Sequence, residues 1–162
     1  MFDFTPTPGI SRREAYAELA AAARALTADE PDGVANMANL AALIWHWLPD
    51  LNWAGFYRVQ ESGLVLGPFI GKPACIRIAL GQGVCGTAAK RGETQLVPDV
   101  HAFPGHIACD GASRSELVVP VRHGGAVIAV IDLDSPLPAR FDATDAEGIE
   151  ALAAAISPAI AG

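Results

Sequence analysis

Three cysteines and three closely spaced carboxylates carry the chemistry this chain is able to do: Cys75, Cys85 and Cys109, with Glu116, Asp132 and Asp134. Paired thiols suit redox work, in which one accessible, low-pKa thiol is oxidised to a sulfenic acid and a second condenses with it. Cys109 falls in Val97–Glu116, a polar stretch that also holds Asp99, His101, His106 and Asp110 and shows neither helical nor strand periodicity. Val100, Phe103 and Ile107 give that stretch apolar anchors, so it reads as a binding or active-site loop and not as a solvated linker. Cys85 stands at the end of a glycine-rich turn that opens a short helix, where the helix dipole and free N–H groups favour a thiolate. Cys75 is expected on a strand, and the three positions are expected to converge at one end of a sheet.

The carboxylates make a second constellation. Asp132 and Asp134 are two apart, so on a strand they share a face, and Glu116 opens the strand expected to pair with theirs. Crowded carboxylates repel unless a cation or a shared proton joins them, which points to a site for an ammonium group or a protonated acid; a solvated strand end is the plainer alternative. Trp53 and Tyr57, four apart on one strand face, offer an aromatic wall for a cation or an apolar group, with ordinary core packing equally open. Two further readings carry less weight. Gly81-Gln-Gly-Val-Cys-Gly86 fits G-x-G-x-x-G, but the helix after it is short and hairpins flank it, so a tight turn is expected and no nucleotide or other cofactor. His101, His106 and Cys109 with another cysteine offer nitrogen and sulfur ligands, but no C-x-x-C or H-x-x-x-H pair occurs, and no metal is expected.

The elements that must position these groups are legible from period and capping. Ser11 with Glu14 forms a capping box ahead of an alanine-rich helix to Leu26, and Asp32 caps a second helix ending before Pro49. Strands are expected at Trp53–Gln60 and Leu64–Ile70 as a hairpin, at Cys75–Leu80, at Gln95–Val97, and at Leu117–Val121 with Ala126–Leu133 as a second hairpin. A short helix runs to about Arg91, and Asp142 caps a closing helix that carries Ile149, Leu152, Ile156 and Ile160 on one face. Two hairpins favour an α+β architecture, an antiparallel sheet with the N- and C-terminal helices packed on one face. At 162 residues the chain reads as one domain, with residues 1–10 as an arm. A net charge of −7 with only 11 Lys and Arg argues against nucleic acid. No apolar run is long enough to cross a membrane and no signal peptide is visible, so a cytoplasmic protein is expected.

Four segments taken together resemble a known family: Gly-Pro-Phe-Ile-Gly-Lys-Pro-Ala-Cys75, Gly-Gln-Gly-Val-Cys85-Gly-Thr-Ala, Val-Pro-Asp-Val-His-Ala-Phe-Pro-Gly-His-Ile-Ala-Cys109-Asp and Val-Ile-Asp-Leu-Asp134-Ser-Pro. They are similar to the free methionine-(R)-sulfoxide reductases, enzymes built on a GAF domain, over about 52–145. The resemblance implies a single GAF domain over 1–162, a homodimer through the helical layer, and reduction of free, not peptide-bound, methionine-(R)-sulfoxide with thioredoxin restoring the thiols. It also implies roles. Cys109 would attack the sulfoxide sulfur, Cys75 or Cys85 would resolve the sulfenic acid, Glu116, Asp132 and Asp134 would bind the substrate's amino and sulfoxide ends, and Trp53 with Tyr57 would wall its methyl. The chemistry fits: a sulfoxide oxygen must be protonated as its sulfur is attacked, and Glu116 in an acidic cluster is the candidate donor. A non-catalytic GAF module sensing a small ligand or redox state is the alternative from another class. A cysteine hydrolase using His101 or His106 is a third.

Overall fold

The computed structural model describes residues 4–107 and 110–162. Local signals set most elements. Ser11 and Glu14 close a reciprocal capping box on α1 (Arg12–Thr27), and the Asp32 carboxylate accepts from the Val34 and Ala35 amides to start α2 (Gly33–Trp47). The strands are β1 (Trp53–Gln60), β2 (Gly63–Gly71), β3 (Arg77–Ile78), β4 (Gln95–Val97), β5 (Ser115–His123) and β6 (Ala126–Ser135). Between them lie α3 (Gly83–Arg91) and a single 3₁₀ turn at Val100–Ala102, capped by Asp99. Asp142 and Asp145 form a second capping box on α4 (Ala143–Ile160).

The six strands form one sheet in the order β3-β2-β1-β6-β5-β4, and every pairing is antiparallel. The period-2 alternation divides its side chains between two cores. Ala54, Phe56, Leu117, Val119, Ile131 and Leu133 face α1, α2 and α4 in the larger core. Trp53, Tyr57, Val118 and Val130 face the other way, toward α3 and the segment carrying Val100 and Phe103. The α+β expectation with terminal helices on one face is met, and the second face is roofed by α3 and the segment carrying Val97, Val100 and Phe103. The strand expected over Cys75–Leu80 is shorter. Arg77 and Ile78 alone form β3, paired to Val65 and Leu64 at the sheet edge, because Pro73 precedes the segment and Gly81, at φ 86°, turns the chain away. Cys75 therefore lies in irregular chain.

The larger core has little slack where α1 meets α4. The Tyr16 ring lies against Gly148 so closely that a Cβ there would fall inside it, while the Tyr16 hydroxyl donates to Asp145 Oδ1 at 2.7 Å. Burial, with the Asp145 hydrogen bond, pushes the phenol far above its ordinary value. Gly148→Ala is expected to cost about 1–3 kcal/mol from overpacking, read as a lower denaturation midpoint; an unchanged midpoint would mean the two helices separate freely.

Candidate active site

The sheet register builds the site from residues far apart in sequence. Asp134 on β6 sits between Trp53 on β1 and Glu116 on β5, and Asp132 sits between Gly55 and Val118. All of these point away from the terminal helices. Gly55 is required here, because a Cβ on it would overlap Phe69. Its bare backbone lets the Trp53 ring stack on Phe69 at 5.1 Å and on Tyr57 at 5.9 Å. Trp53 Nε1 donates to the Lys72 carbonyl at 3.1 Å and the Tyr57 hydroxyl to the Cys75 carbonyl at 2.9 Å. The two aromatics are thus core residues and cavity wall at once.

Over this floor lies a partly open cavity, bounded by α3 and by His106, Ile107 and Asp110 of the loop. Its lining includes Trp53, Tyr57, Cys85, His106, Ile107, Asp110, Glu116, Asp132 and Asp134. Glu116 and Asp132 are each only 6% exposed. Burial, then the charges of Asp132 and Asp134, pushes the Glu116 carboxyl well above the usual range. Burial also pushes Asp132 up, to about 6, against the opposing interaction with the Cys85 thiol and the Glu116 carboxyl. Asp134 is raised well above its ordinary value by burial and by Asp132. One oxygen of Asp132, Oδ1, is buried without a hydrogen-bond partner among the described residues. Such a site favours protonated acids and welcomes a cation.

Cys85 corrects an expectation. It does stand in the first turn of α3, but burial and then the charges of Asp132 and Glu116 push its thiol well above the ordinary range. Desolvation and like charge outweigh the helix dipole, so no ready thiolate sits there. The glycines before it do serve a tight turn: Gly81 and Gly83 take φ of 86° and 61°, and Gly81 N–H donates to the Gly86 carbonyl at 2.7 Å. Cys75 is half-buried beside the cavity-lining Ala74. Cys109 lies outside the described residues; in sequence it falls between Ile107 and Asp110, both of which line the cavity. Of the histidines, His101 is exposed, whereas His106 Nε2 approaches Glu116 Oε2 to 3.8 Å. Burial lowers the His106 pKa, which favours neutral imidazole.

Asp110 stands out in the sequence as a loop carboxylate, but the partners that anchor it, Asn52 and Lys72, do not. Asp110 accepts from Lys72 Nζ at 3.1 Å, from Asn52 Nδ2 at 3.1 Å and from the Ala112 amide at 2.9 Å. Asn52 Nδ2 also reaches Ser113 Oγ at 3.0 Å. These bonds hold the Asp110 carboxylate below its ordinary pKa, the Ala112 amide contributing most. Asn52 and Lys72 gave no local signal beyond flanking β1 and β2.

Residues 32–161 match the model of the GAF domain. A free methionine-R-sulfoxide reductase of Escherichia coli is 46% identical over 152 residues, covering 94% of this chain and 92% of its own. The chain belongs to the free methionine-R-sulfoxide reductase family of GAF-domain proteins. A reductase of this family from Neisseria meningitidis, solved in complex with its substrate, superposes with a TM-score of 0.92 at 41% identity, covering 99% of this chain and 96% of that one. A Burkholderia vietnamiensis structure described as a putative GAF sensor protein is 59% identical, with a TM-score of 0.87 and coverage of 90% and 93%.

In this member of the free methionine-R-sulfoxide reductase family the acid cluster by itself opposes folding. The Asp132 pKa is about 6 folded against 3.8 in the free side chain, so the folded state binds the extra proton and stability falls as pH rises through that window. His106, with its lowered pKa, acts in the opposite sense as pH rises toward 6.5. A comparison with Asp132→Asn isolates the carboxylate. The variant is expected to match the parent near pH 4 and to melt about 2–4 °C or more above it at pH 8 without ligand. Equal melting temperatures at pH 8 would show that the cluster carries no such penalty.

Proposed function

We propose that the chain reduces free L-methionine-(R)-S-oxide to methionine. The observation that carries this is the meeting, in one cavity, of the buried acids Glu116 and Asp132 and the half-buried Asp134 with the Trp53–Tyr57 wall. The ammonium of a free amino acid supplies the cation that lets Asp132 and Asp134 ionise, and the aromatic wall takes the methyl end. A methionine sulfoxide within a polypeptide has no free ammonium beside it, which favours the free substrate.

In the proposed chemistry the Cys109 thiolate attacks the sulfoxide sulfur while Glu116 gives its proton to the sulfoxide oxygen. The oxygen passes to Cys109 as a sulfenic acid and the sulfur leaves as the thioether of methionine. A thiol of Cys75 or Cys85 then attacks the sulfenic sulfur, forming a disulfide and releasing water. Thioredoxin, oxidised in turn, returns the pair to thiols. A homodimer joined through the helical layer and residence in the cytoplasm belong to the same reading. Turnover then needs no cofactor, since the thiols supply both electrons and the acids supply the proton.

Reduced protein mixed with each sulfoxide epimer, without added reductant, tests this. The R epimer is expected to give about one methionine per chain with loss of two thiols, and the S epimer none. A disulfide formed in that turnover excludes the cysteine-hydrolase reading. Reduction of neither epimer would turn the reading to a ligand-sensing GAF module.

A further inference from the structure

We propose that the corner formed by Cys85, Glu116 and Asp132 binds a thiophilic divalent cation of the zinc and cadmium class, in competition with an amino-acid ammonium. The sulfur from α3 and one carboxylate oxygen each from β5 and β6 lie within 4.8 Å of one another. The three residues are 4%, 6% and 6% exposed. Zinc bound at about 2.3 Å to sulfur and about 2.0–2.2 Å to oxygen brings neighbouring ligand atoms to roughly 3.3–3.8 Å, so a contraction of about 1 Å closes the site.

A second observation points to a ligand independently of the clustering. Asp132 Oδ1 is buried and has no hydrogen-bond partner among the described residues, on a side chain that lines the cavity. A buried acceptor without a donor is costly, and a cation satisfies it. Lys72, in the same wall, is engaged by Asp110 at 3.1 Å. Sulfur in the ligand set selects against magnesium and calcium, which take oxygen ligands in larger number. Three protein ligands leave the fourth tetrahedral position to water from the cavity. Binding converts the Cys85 thiol to a metal-bound thiolate and releases its proton to solvent, with no change of oxidation state. The histidines first weighed as zinc ligands are not in this set.

A cation here occupies Asp132, which the ammonium needs, together with the proposed acid Glu116, and ties up Cys85. The competition rests on the proposed function; the metal binding does not.

Cadmium added to the reduced full-length protein supplies the test, read by its thiolate-to-metal charge-transfer absorption and by calorimetry. One equivalent is expected, with the intensity of a single thiolate. Cys85→Ser is expected to abolish the band, Cys75→Ser and Cys109→Ser to keep it, and Asp132→Asn, which retains the thiol, to weaken binding by at least about tenfold. A band that survives Cys85→Ser, or vanishes in either other cysteine variant, places the metal elsewhere and overturns the site. Free methionine is expected to weaken cadmium binding, and cadmium to raise the apparent KM for the sulfoxide until a chelator is added. Cadmium binding that methionine leaves untouched, in a protein that does reduce the sulfoxide, overturns the competition alone. Failure of sulfoxide reduction with the Cys85-dependent band intact would sink the proposed function and leave the metal site standing.

Discussion

A single turnover of the Cys109→Ser protein is expected to release no methionine, a loss of at least about 10³-fold set by the detection of product. Only a thiolate is nucleophilic enough to attack a sulfoxide sulfur, and a serine hydroxyl does not ionise in its place. Cys85 is a poor substitute, because burial and the charges of Asp132 and Glu116 hold it as a thiol. The chain on either side of position 109 reaches the cavity through Ile107 and Asp110, and Asp110 is held by Lys72 and Asn52. Quantifying methionine by chromatography before any reductant is added isolates the first chemical step. Full release by Cys109→Ser would move the attack to another thiol. The same assay assigns the second step: if Cys85→Ser still loses two thiols per methionine, Cys75 is the resolving thiol, and if it releases methionine while stopping at a sulfenic acid, Cys85 is.

What could be read ahead of the structure was whatever local chemistry decides. Ser11 with Glu14 and Asp142 before α4 announce helix starts because their capping bonds span three residues or fewer. Asp132 and Asp134 had to share a face once their strand was recognised, and Glu116 followed from the hairpin of β5 and β6. The pairing of β1 with β6 was not legible, since nothing local brings Trp53 opposite Asp134. That long-range register is what sets the aromatic wall beside the acids. The same limit hid Asn52 and Lys72, whose partner Asp110 is 58 residues from one and 38 from the other. At Cys85 the local rule gave the wrong sign: a helix start favours thiolate, but tertiary packing places buried carboxylates against it. At Cys75 alternation suggested a longer strand than Pro73 and the turn at Gly81 allow.

Glu116→Gln is expected to lower kcat by about 10²- to 10⁴-fold while changing KM far less. Glutamine keeps the shape and can still hydrogen-bond the sulfoxide oxygen, but it has no acidic proton to give as the S–O bond breaks. Asp132 and Asp134 remain to pair with the ammonium, so binding survives; Asp132→Asn should show the reverse pattern, with the larger change in KM. The pH dependence separates proton donation from simple packing. A general acid must be protonated, and burial with the neighbouring charges raises the Glu116 pKa well above its ordinary value, so the parent enzyme's rate is expected to fall as pH rises through that shifted pKa. The residual rate of Glu116→Gln should lack this descending limb. An unchanged rate in the variant would remove Glu116 as the acid. A slow variant that keeps the descending limb would instead assign the proton to Asp132 or Asp134, the other acids whose pKa the same burial raises.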